Sequence, residues 1–175
     1  MMVDPHEELW EASFETYYDA FFQEMVADGL INRWLRVDEG TRLLVALTAS
    51  GSAVSGWALW AEPHLRFMWA VVAGAAAVLS IGHSTLSVPA RLKDLAEVKR
   101  RFAAVRTDLE TFRYSMRVNP EFPVDDFSKE FAEFRRKYSD AVQLVKNDIL
   151  ETQRFENTVQ DRLNIQLGDS IVRAT

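Results

Sequence analysis

The residues of this chain that could do chemistry are hydroxyls, histidines and carboxylates, because the sequence contains no cysteine. Without a thiol, disulfides, thiolate catalysis and thiolate metal sites are excluded. His6, His64 and His83 lie in three different surroundings, and no two have the spacing of metal ligands on one helix. The seven glycines are scattered and form no phosphate-binding loop. We therefore expect no enzyme, no catalytic residue, no metal site and no cofactor.

Hydroxyl side chains recur at helical spacing within two stretches that carry no charged residue. The first stretch is Leu43–Ala61, with 19 residues, and the second is Phe67–Ala90, with 24. A row of hydroxyls facing lipid is costly, so these faces should meet protein or water. They could line a water-filled pore or form hydrogen bonds between helices, and both interpretations remain open. The candidate pore-lining residues are Thr48, Ser52, Ser55, Ser80, Ser84 and Ser87, together with His83, whose alternative role is a neutral imidazole bonded to a neighbour.

The two charge-free stretches predict a hairpin of membrane-spanning helices. About 20 mostly apolar residues cross the hydrocarbon layer, and the first stretch and Phe67–Leu86 of the second reach that length. Only Glu62–Arg66 separate them, and Pro63 favours a turn there. Neither stretch has the polar stripe of a surface helix, although two buried helices of a soluble bundle are the alternative. Small residues four apart would let the helices approach closely, with Gly56 and Gly74 as packing positions.

The distribution of Lys and Arg around the hairpin predicts its orientation. The turn carries one such residue, whereas three precede the first span and six follow the second closely. Both termini are therefore expected in the cytoplasm. The acidic, aromatic leading segment lacks the basic start and apolar stretch of a cleavable signal. The formal net charge of −6 argues against binding to duplex DNA.

The chain divides into N-terminal cytoplasmic helices over residues 1–41, the hairpin over 42–90 and a helical region over 91–175. The N-terminal part predicts an amphipathic helix that starts near Pro5 and stops around Asp28–Gly29, followed by a short segment, Leu30–Val37. Its polar face is acidic, so its apolar face should pack on other helices rather than lie on a membrane. That face is aromatic and consists of Trp10, Phe14, Tyr17 and Phe21.

The second span is expected to continue into one long helix, so that a helix covers residues from about 87 to 118. A turn at 119–123 ends it, because Pro120 and Pro123 forbid a continuous helix. A further helix over about 125–167 should fold back antiparallel, and nothing resembles a strand. The long helix carries a heptad seam, either an interchain coiled coil or a groove for the other arms. The seam consists of Leu95, Val98, Phe102, Val105, Leu109, Phe112 and Met116.

Positive charge is concentrated just beyond the hairpin. From Arg91 to Arg117 there are eight Lys or Arg and four Asp or Glu, whereas residues 1–41 sum to −8. These cations could form ion pairs with the acidic N-terminal helix, or they could attract lipid headgroups or a phosphorylated ligand. Three of them are seven residues apart and flank the seam. The candidate residues for an anionic ligand or lipid are Lys99, Arg100, Arg101, Arg106 and Arg113.

The layout of an acidic amphipathic helix, a tight two-span hairpin and a long helical tail resembles the SLATT family. These are bacterial two-transmembrane effector domains associated with nucleotidyltransferases and SLOG nucleotide-sensing proteins. The segment Glu130–Tyr138 (EFAEFRRKY) is similar to the post-hairpin helix of that family, in which aromatic and charged residues alternate. The resemblance implies an anti-phage defence effector that oligomerises and permeabilises the bacterial inner membrane on a nucleotide signal. It carries no residue-level site.

The sequence thus predicts an all-α membrane protein, a two-span hairpin with long cytoplasmic helices that form a coiled-coil-like bundle. We expect a homo-oligomer, with a tetramer as the guess, that forms a gated pore or ion channel. Its expected partners are further copies, membrane lipids, and a nucleotidyltransferase or its nucleotide product. One alternative is a membrane-anchored coiled-coil scaffold that recruits a soluble partner. Another is a small subunit of a larger transporter.

Overall fold

The computed structural model describes residues 4–54, 67, 71, 74–75 and 87–174, and these ranges contain four long α-helices. They are α1 (Pro5–Val54), α2 (Val88–Val118), α3 (Val124–Val142) and α4 (Gln153–Ala174). The prediction of an all-α class is therefore confirmed for the described ranges. The chain forms two compact units, one made of Met1–Leu30 with Asp94–Thr175 and the other of Ile31–Lys93.

No helix within the described ranges is both long enough and apolar enough to cross a bilayer. Most of the predicted hairpin, namely residues 55–66, 68–70, 72–73 and 76–86, lies outside those ranges. The part of the first charge-free stretch that is described, residues 43–54, is helical and forms the end of α1. The hairpin itself stays a prediction.

α1 is one uninterrupted helix, so the predicted stop at Asp28–Gly29 and the separate segment Leu30–Val37 are wrong. A glycine inside a helix costs about 1 kcal/mol relative to alanine, which made a stop the simpler expectation. The structure shows a different use for Gly29. A Cβ placed there would lie 2.6 Å from Cζ of Phe155, so the missing side chain leaves room for that ring. Gly29 is therefore a packing position between α1 and α4.

α2 begins inside the second charge-free stretch, at Val88, and Ser87 interrupts the backbone directly in front of it. Ser87 has a φ of 46°, a left-handed conformation that a residue with a Cβ adopts at a cost of about 1–2 kcal/mol. Its carbonyl accepts hydrogen bonds from the N–H groups of Ala90 (2.9 Å) and Arg91 (3.1 Å). Pro89 lies in the first turn, where its missing N–H does no harm. The prediction of one long helix running through Ser87 is wrong.

Residues 143–152 separate α3 from α4, where the sequence predicts one helix over about 125–167. The Asp148 carboxylate accepts a hydrogen bond from the N–H of Leu150 (2.9 Å), and the Asp148 carbonyl accepts one from Glu151 (3.0 Å). The carbonyl of Thr152 then accepts the N–H of Phe155 (2.8 Å), at the start of α4. Short polar side chains compete with helical hydrogen bonds in this way. The local bonds of Asp148 and Thr152 therefore replace a continuous helix.

The unit made of Met1–Leu30 and Asp94–Thr175 is a bundle in which consecutive helices run antiparallel. Two contacts define the direction of each pair of helices, one towards each end of the pair. α1 meets α2 through Asp28 with Lys99 and through Trp10 with Arg113. α2 meets α3 through Phe102 with Tyr138 and through Phe112 with Phe127. α4 meets α1 through Phe155 at Gly29 and through Asn164 with Tyr18.

The core of this bundle is mainly aromatic at one end and aliphatic at the other. Phe112 lies among three rings of α3, with centroids at 5.3 Å, 6.2 Å and 5.5 Å for Phe127, Phe131 and Phe134. A second cluster joins Val26 and Leu30 of α1 to Phe155 and Val159 of α4. Burying each such side chain contributes about 1.5–3 kcal/mol relative to exposing it. These contacts hold four separate helices as one unit.

The unit Ile31–Lys93 buries two large side chains in its described part. Trp34 and Val88 are each 1% exposed. Asp38 is also buried. Its carboxylate forms an ion pair with Arg42, one turn later in α1, with 3.0 Å between Oδ2 of Asp38 and Nε of Arg42. This pair keeps a charge that is sheltered from water next to an opposite charge.

Candidate functional site

The candidate pore-lining residues fall mostly outside the described ranges. Ser55, Ser80, His83 and Ser84 all lie there, as does the packing position Gly56. Thr48 and Ser52 belong to the helical backbone of α1, and Ser87 is exposed in the turn before α2. For Gly74, no described atom lies within 4 Å of the place that a Cβ would take. The pore lining and the glycine packing stay predictions.

The heptad seam lies inside the bundle of a single chain. Six of its seven side chains, all but Leu95, are 0–7% exposed and belong to the main core cluster. Leu95 is half-buried and packs against the second cluster. The sequence left open an interchain coiled coil or a groove for the other arms of the same chain. The structure shows the groove. α1 and α3 fill the groove.

Two of the basic residues beside the seam form ion pairs with the acidic face of α1. Lys99 Nζ lies 2.7 Å from Oδ1 of Asp28, and Arg106 Nε lies 2.6 Å from Oε2 of Glu24. The side chains of Arg106 and Glu24 are only 25% and 16% exposed, so water screens this pair weakly. Arg106 also lies 3.5 Å from Glu110. For Lys99 and Arg106, the structure therefore shows the first of the two interpretations, ion pairs with the acidic N-terminal helix.

Arg100 and Arg101 share one carboxylate on their own helix. Both contact Glu97, at 2.6 Å and 2.7 Å. The hydrogen bond from Arg101, followed by that from Arg100, lowers the pKa of Glu97. The pairs lie on the exposed side of α2, and such pairs contribute little to stability. These two arginines therefore keep access to solvent while their charge is partly balanced.

Arg113 differs from the other four candidate residues, Lys99, Arg100, Arg101 and Arg106, because no carboxylate of the described chain pairs with it. Its Nη1 donates hydrogen bonds to the carbonyl of Trp10 (2.7 Å) and to Oγ of Ser13 (2.9 Å). The guanidinium lies 3.8 Å from the centre of the Trp10 ring and 5.0 Å from that of Phe14. Burial lowers the pKa of Arg113 to about 10, so the group remains charged at neutral pH. A cation–π contact replaces the missing carboxylate.

The electrostatics of the α1–α2 interface centre on Tyr17 and Arg106. Burial raises the pKa of the Tyr17 hydroxyl, and the charge of Glu110 raises it further, so it is neutral at physiological pH. Burial by itself lowers the pKa of Arg106, but the hydrogen bond and charge of Glu24 outweigh it and the net shift is upward. Arg106 also lies 4.9 Å from the centre of the Phe21 ring. The interface therefore places cations of α2 on the carboxylates and aromatic rings of α1.

A shallow groove of about 390 Å³ runs along α1 and is lined by Phe14, Glu15, Tyr18 and Asp19. Tyr18 is held from α4, because its hydroxyl donates to Oδ1 of Asn164 at 2.8 Å. Burial raises the pKa of Asp19 above its ordinary value of 3.8, and the charge of Glu15 adds to the shift. This acidic, aromatic surface repels anions, so the predicted anion-attracting character does not extend to this face of the bundle.

The sequence alone did not identify the partners of Arg113 or the packing role of Gly29. Each depends on a residue about a hundred or more positions away, Trp10 for Arg113 and Phe155 for Gly29. The available signal was the seven-residue spacing of Lys99, Arg106 and Arg113, opposite an acidic and aromatic helix.

The described residues contain no group of three or more His, Asp or Glu side chains that could hold a metal ion. No protein-family model, curated protein or solved structure matches the chain. The function of the chain therefore has to be inferred from its own residues.

Proposed function

We propose that the chain is a membrane effector whose two charge-free stretches span the bilayer and whose copies assemble around a pore. One observation carries the proposal. Stretches of 19 and 24 residues without charge stand five residues apart, in a chain that holds 20 Lys and Arg and 26 Asp and Glu elsewhere. The excess of Lys and Arg outside the turn supports cytoplasmic termini in a plasma membrane.

The hydroxyl rows support a pore rather than a simple anchor. Residues such as Ser52 and Ser84 would be costly against lipid, so they need protein or water beside them. Two spans cannot enclose water, and several copies are therefore required. Those copies would associate through the spans, since the heptad seam is occupied inside each bundle.

The helical bundle supplies a means of control. α1 continues from the ion-paired residues Glu24 and Asp28 into the first charge-free stretch without a break, whereas Ser87 interrupts the path from α2. A change in the α1–α2 contacts would therefore reach the hairpin through α1. The resemblance to the SLATT family favours a nucleotide as the signal and phage defence as the setting, with a nucleotidyltransferase as the partner that makes it.

A membrane-anchored scaffold is the second candidate, and the buried seam favours it. The bundle satisfies its own apolar surface without a second copy, so it could serve as a self-contained module that the hairpin holds at the membrane. In that case the hydroxyls of the spans would only bond between helices.

Ion leakage from vesicles containing the purified full chain, with and without candidate nucleotides, tests the proposal. The test variant replaces Thr48, Ser52, Ser55, Ser80, Ser84 and Ser87 with leucine. The matched control replaces three exposed hydroxyls of α2 with leucine, at Thr107, Thr111 and Ser115. A pore predicts leakage for the natural chain and the control and none for the test variant, with assembly retained in all three.

The remaining outcomes separate the two candidates. If the natural chain never leaks but stays with the vesicles after an alkaline carbonate wash, the scaffold is correct and the pore is wrong. If the chain is washed off the vesicles, the membrane hairpin itself is wrong and both candidates fail.

A further inference from the structure

One face of α1 carries carboxylates that no cation of the described chain neutralises. The first 32 residues hold eight Asp or Glu and no Lys or Arg. Glu24 and Asp28 pair with α2, but Glu15 and Asp19 are exposed and form no ion pair with a described residue. Burial raises the pKa of Asp19, and the charge of Glu15 raises it further. The two carboxylates therefore repel each other, and a cation placed between them would be attracted to both.

Aromatic rings line the same groove as these carboxylates. Phe14 and Tyr18 lie one turn apart in α1, and the ring of Phe14 is 40% exposed. The residues that follow them, Glu15 and Asp19, repeat that spacing, so each turn offers one ring and one carboxylate. The Tyr18 hydroxyl donates to Oδ1 of Asn164 in α4 at 2.8 Å, which holds its ring in place. A ring and a carboxylate together suit a guanidinium, which stacks on the one and pairs with the other.

α1 already holds one guanidinium on its aromatic rings. The guanidinium of Arg113 lies 3.8 Å from the centre of the Trp10 ring and 5.0 Å from that of Phe14. It stays there without a carboxylate partner in the described chain, because an arginine can stack on a ring and donate hydrogen bonds at once. The groove adds two carboxylates to aromatic surface of the same kind. Its chemistry therefore favours arginine over other ligands and disfavours anions.

The shape of this surface indicates how such an arginine is presented. Sites for small molecules enclose most of the ligand, whereas this groove is shallow and its described lining comes from α1 alone. The carboxylates also continue beyond it, since the exposed residues Glu8, Glu11, Glu15 and Asp19 share one face of α1 over about 16 Å. We propose that this face binds a helix of a partner protein that bears arginines one turn apart. The proposal goes beyond the membrane effector and does not depend on the hairpin, because all its residues belong to one compact unit.

Binding of fluorescent peptides to the full chain in a non-ionic detergent, followed by anisotropy, tests the proposal. The probe is an alanine-rich peptide with arginine at every fourth position, and a second peptide carries lysine at the same positions. The test variant combines Glu15→Gln with Asp19→Asn. The matched control, Glu133→Gln with Asp140→Asn, makes the same change in net charge at exposed positions of α3. We expect the test variant to bind the arginine peptide about tenfold more weakly than the natural chain, and the control to change its affinity less than about twofold.

The lysine peptide should bind the natural chain about threefold more weakly than the arginine peptide, since an ammonium stacks less well on the rings. Equal affinity for both peptides would show that charge alone attracts them, and equal losses in the test and control variants would show that no particular face does. Either result overturns the proposal, as does the absence of any binding. If no peptide binds but the test variant lowers the mass of the detergent-solubilised particle, the face meets a second copy instead, and the partner helix is wrong. None of these results bears on whether the charge-free stretches span the bilayer.

Discussion

At the scale of single residues, Arg113 is a partly buried cation that lies on aromatic rings and has no carboxylate partner in the described chain. Its guanidinium stacks on Trp10 and donates to Ser13 and a carbonyl, while burial works against the charge and lowers its pKa to about 10. The planar fork of arginine allows stacking and two hydrogen bonds at once, whereas an ammonium allows only a point contact. The aromatic face of α1 therefore recognises this guanidinium by shape as well as by charge.

Arg113→Ala should lower the free energy of unfolding by about 1–2 kcal/mol, because the cation–π contact and the packing of the side chain are both lost. Arg113→Lys should recover less than half of that loss. The matched control is Arg117→Ala, one turn later and exposed, where little change is expected. Denaturant unfolding of the full chain in detergent, followed by circular dichroism, measures all three. Full recovery by lysine would show that charge alone matters at this position.

Gly29 offers a comparison within one helix, because Gly40 also lies in α1 but is exposed. A Cβ at Gly40 would meet nothing within 4 Å, whereas a Cβ at Gly29 would lie 2.6 Å and 2.7 Å from ring atoms of Phe155. Gly40→Ala should therefore stabilise the chain by up to about 1 kcal/mol through helix propensity. Gly29→Ala should destabilise it by about 1–3 kcal/mol, because the Phe155 ring, 7% exposed, must shift. Melting temperatures of both variants check the opposite signs, and a stabilising Gly29→Ala would contradict the packing role.

Neither residue role could be predicted from the sequence, and the reason is the same for both. Propensity describes a glycine by its neighbours along the chain, while the ring that fills the space at Gly29 comes from position 155. The charge count allowed ion pairs between the acidic and the basic helix as one of two interpretations, but it could not tell that Arg113 meets Trp10 rather than a carboxylate. Both roles depend on tertiary contacts between residues that are more than a hundred positions apart in the sequence.

At the scale of helices, the contacts between α1 and α2 change in exposure and in type of partner along the interface. Lys99 with Asp28 is half exposed, Arg106 with Glu24 is mostly buried, and Arg113 lies on aromatic rings. The heptad spacing of these cations keeps them beside the seam over two repeats. Their partners on α1 run in the opposite direction, which fixes the antiparallel alignment and the register of the two helices.

A double-mutant cycle on Arg106→Gln and Glu24→Gln should give a coupling energy of about 1–2 kcal/mol, since the pair is sheltered from water. The matched control is the pair Lys137 and Asp108, which also joins two helices at 2.7 Å but is 53% and 39% exposed. Its coupling should stay below about 0.5 kcal/mol and disappear in added salt. Equal coupling in both pairs would show that burial does not decide the strength of this contact.

The ends of the helices were predictable where the covalent structure decides them. Pro120 and Pro123 forbid a helix between α2 and α3, and residues 119–123 are non-helical. The gap between α3 and α4 contains neither proline nor glycine, so only the weaker preferences of Asp148 and Thr152 marked it. Pro89 was the overlooked signal at the start of α2, since it suits a first turn and not a helix interior.

For the molecule as a whole, the heptad seam is used within one chain. Phe102 and Leu109 are fully buried by the other helices of the same bundle. A sequence repeat cannot distinguish this from an interchain coiled coil, because both need the same apolar spacing. The distinction matters for the proposed pore, since a seam that is filled within each copy would leave only the proposed spans to join the copies.

Cysteine cross-linking in the full chain distinguishes the two arrangements of the seam. Asp28 and Lys99 face each other across α1 and α2 and are about half exposed, so cysteines there would react. A bifunctional thiol reagent spanning about 10 Å, the spacing of packed helices, should link Asp28→Cys to Lys99→Cys within one chain. The double variant should then migrate as a monomer on a denaturing gel, and a mixture of the two single variants should give no cross-linked dimer. Dimers in that mixture would mean that α1 of one copy packs on α2 of another, and the closed bundle would be wrong.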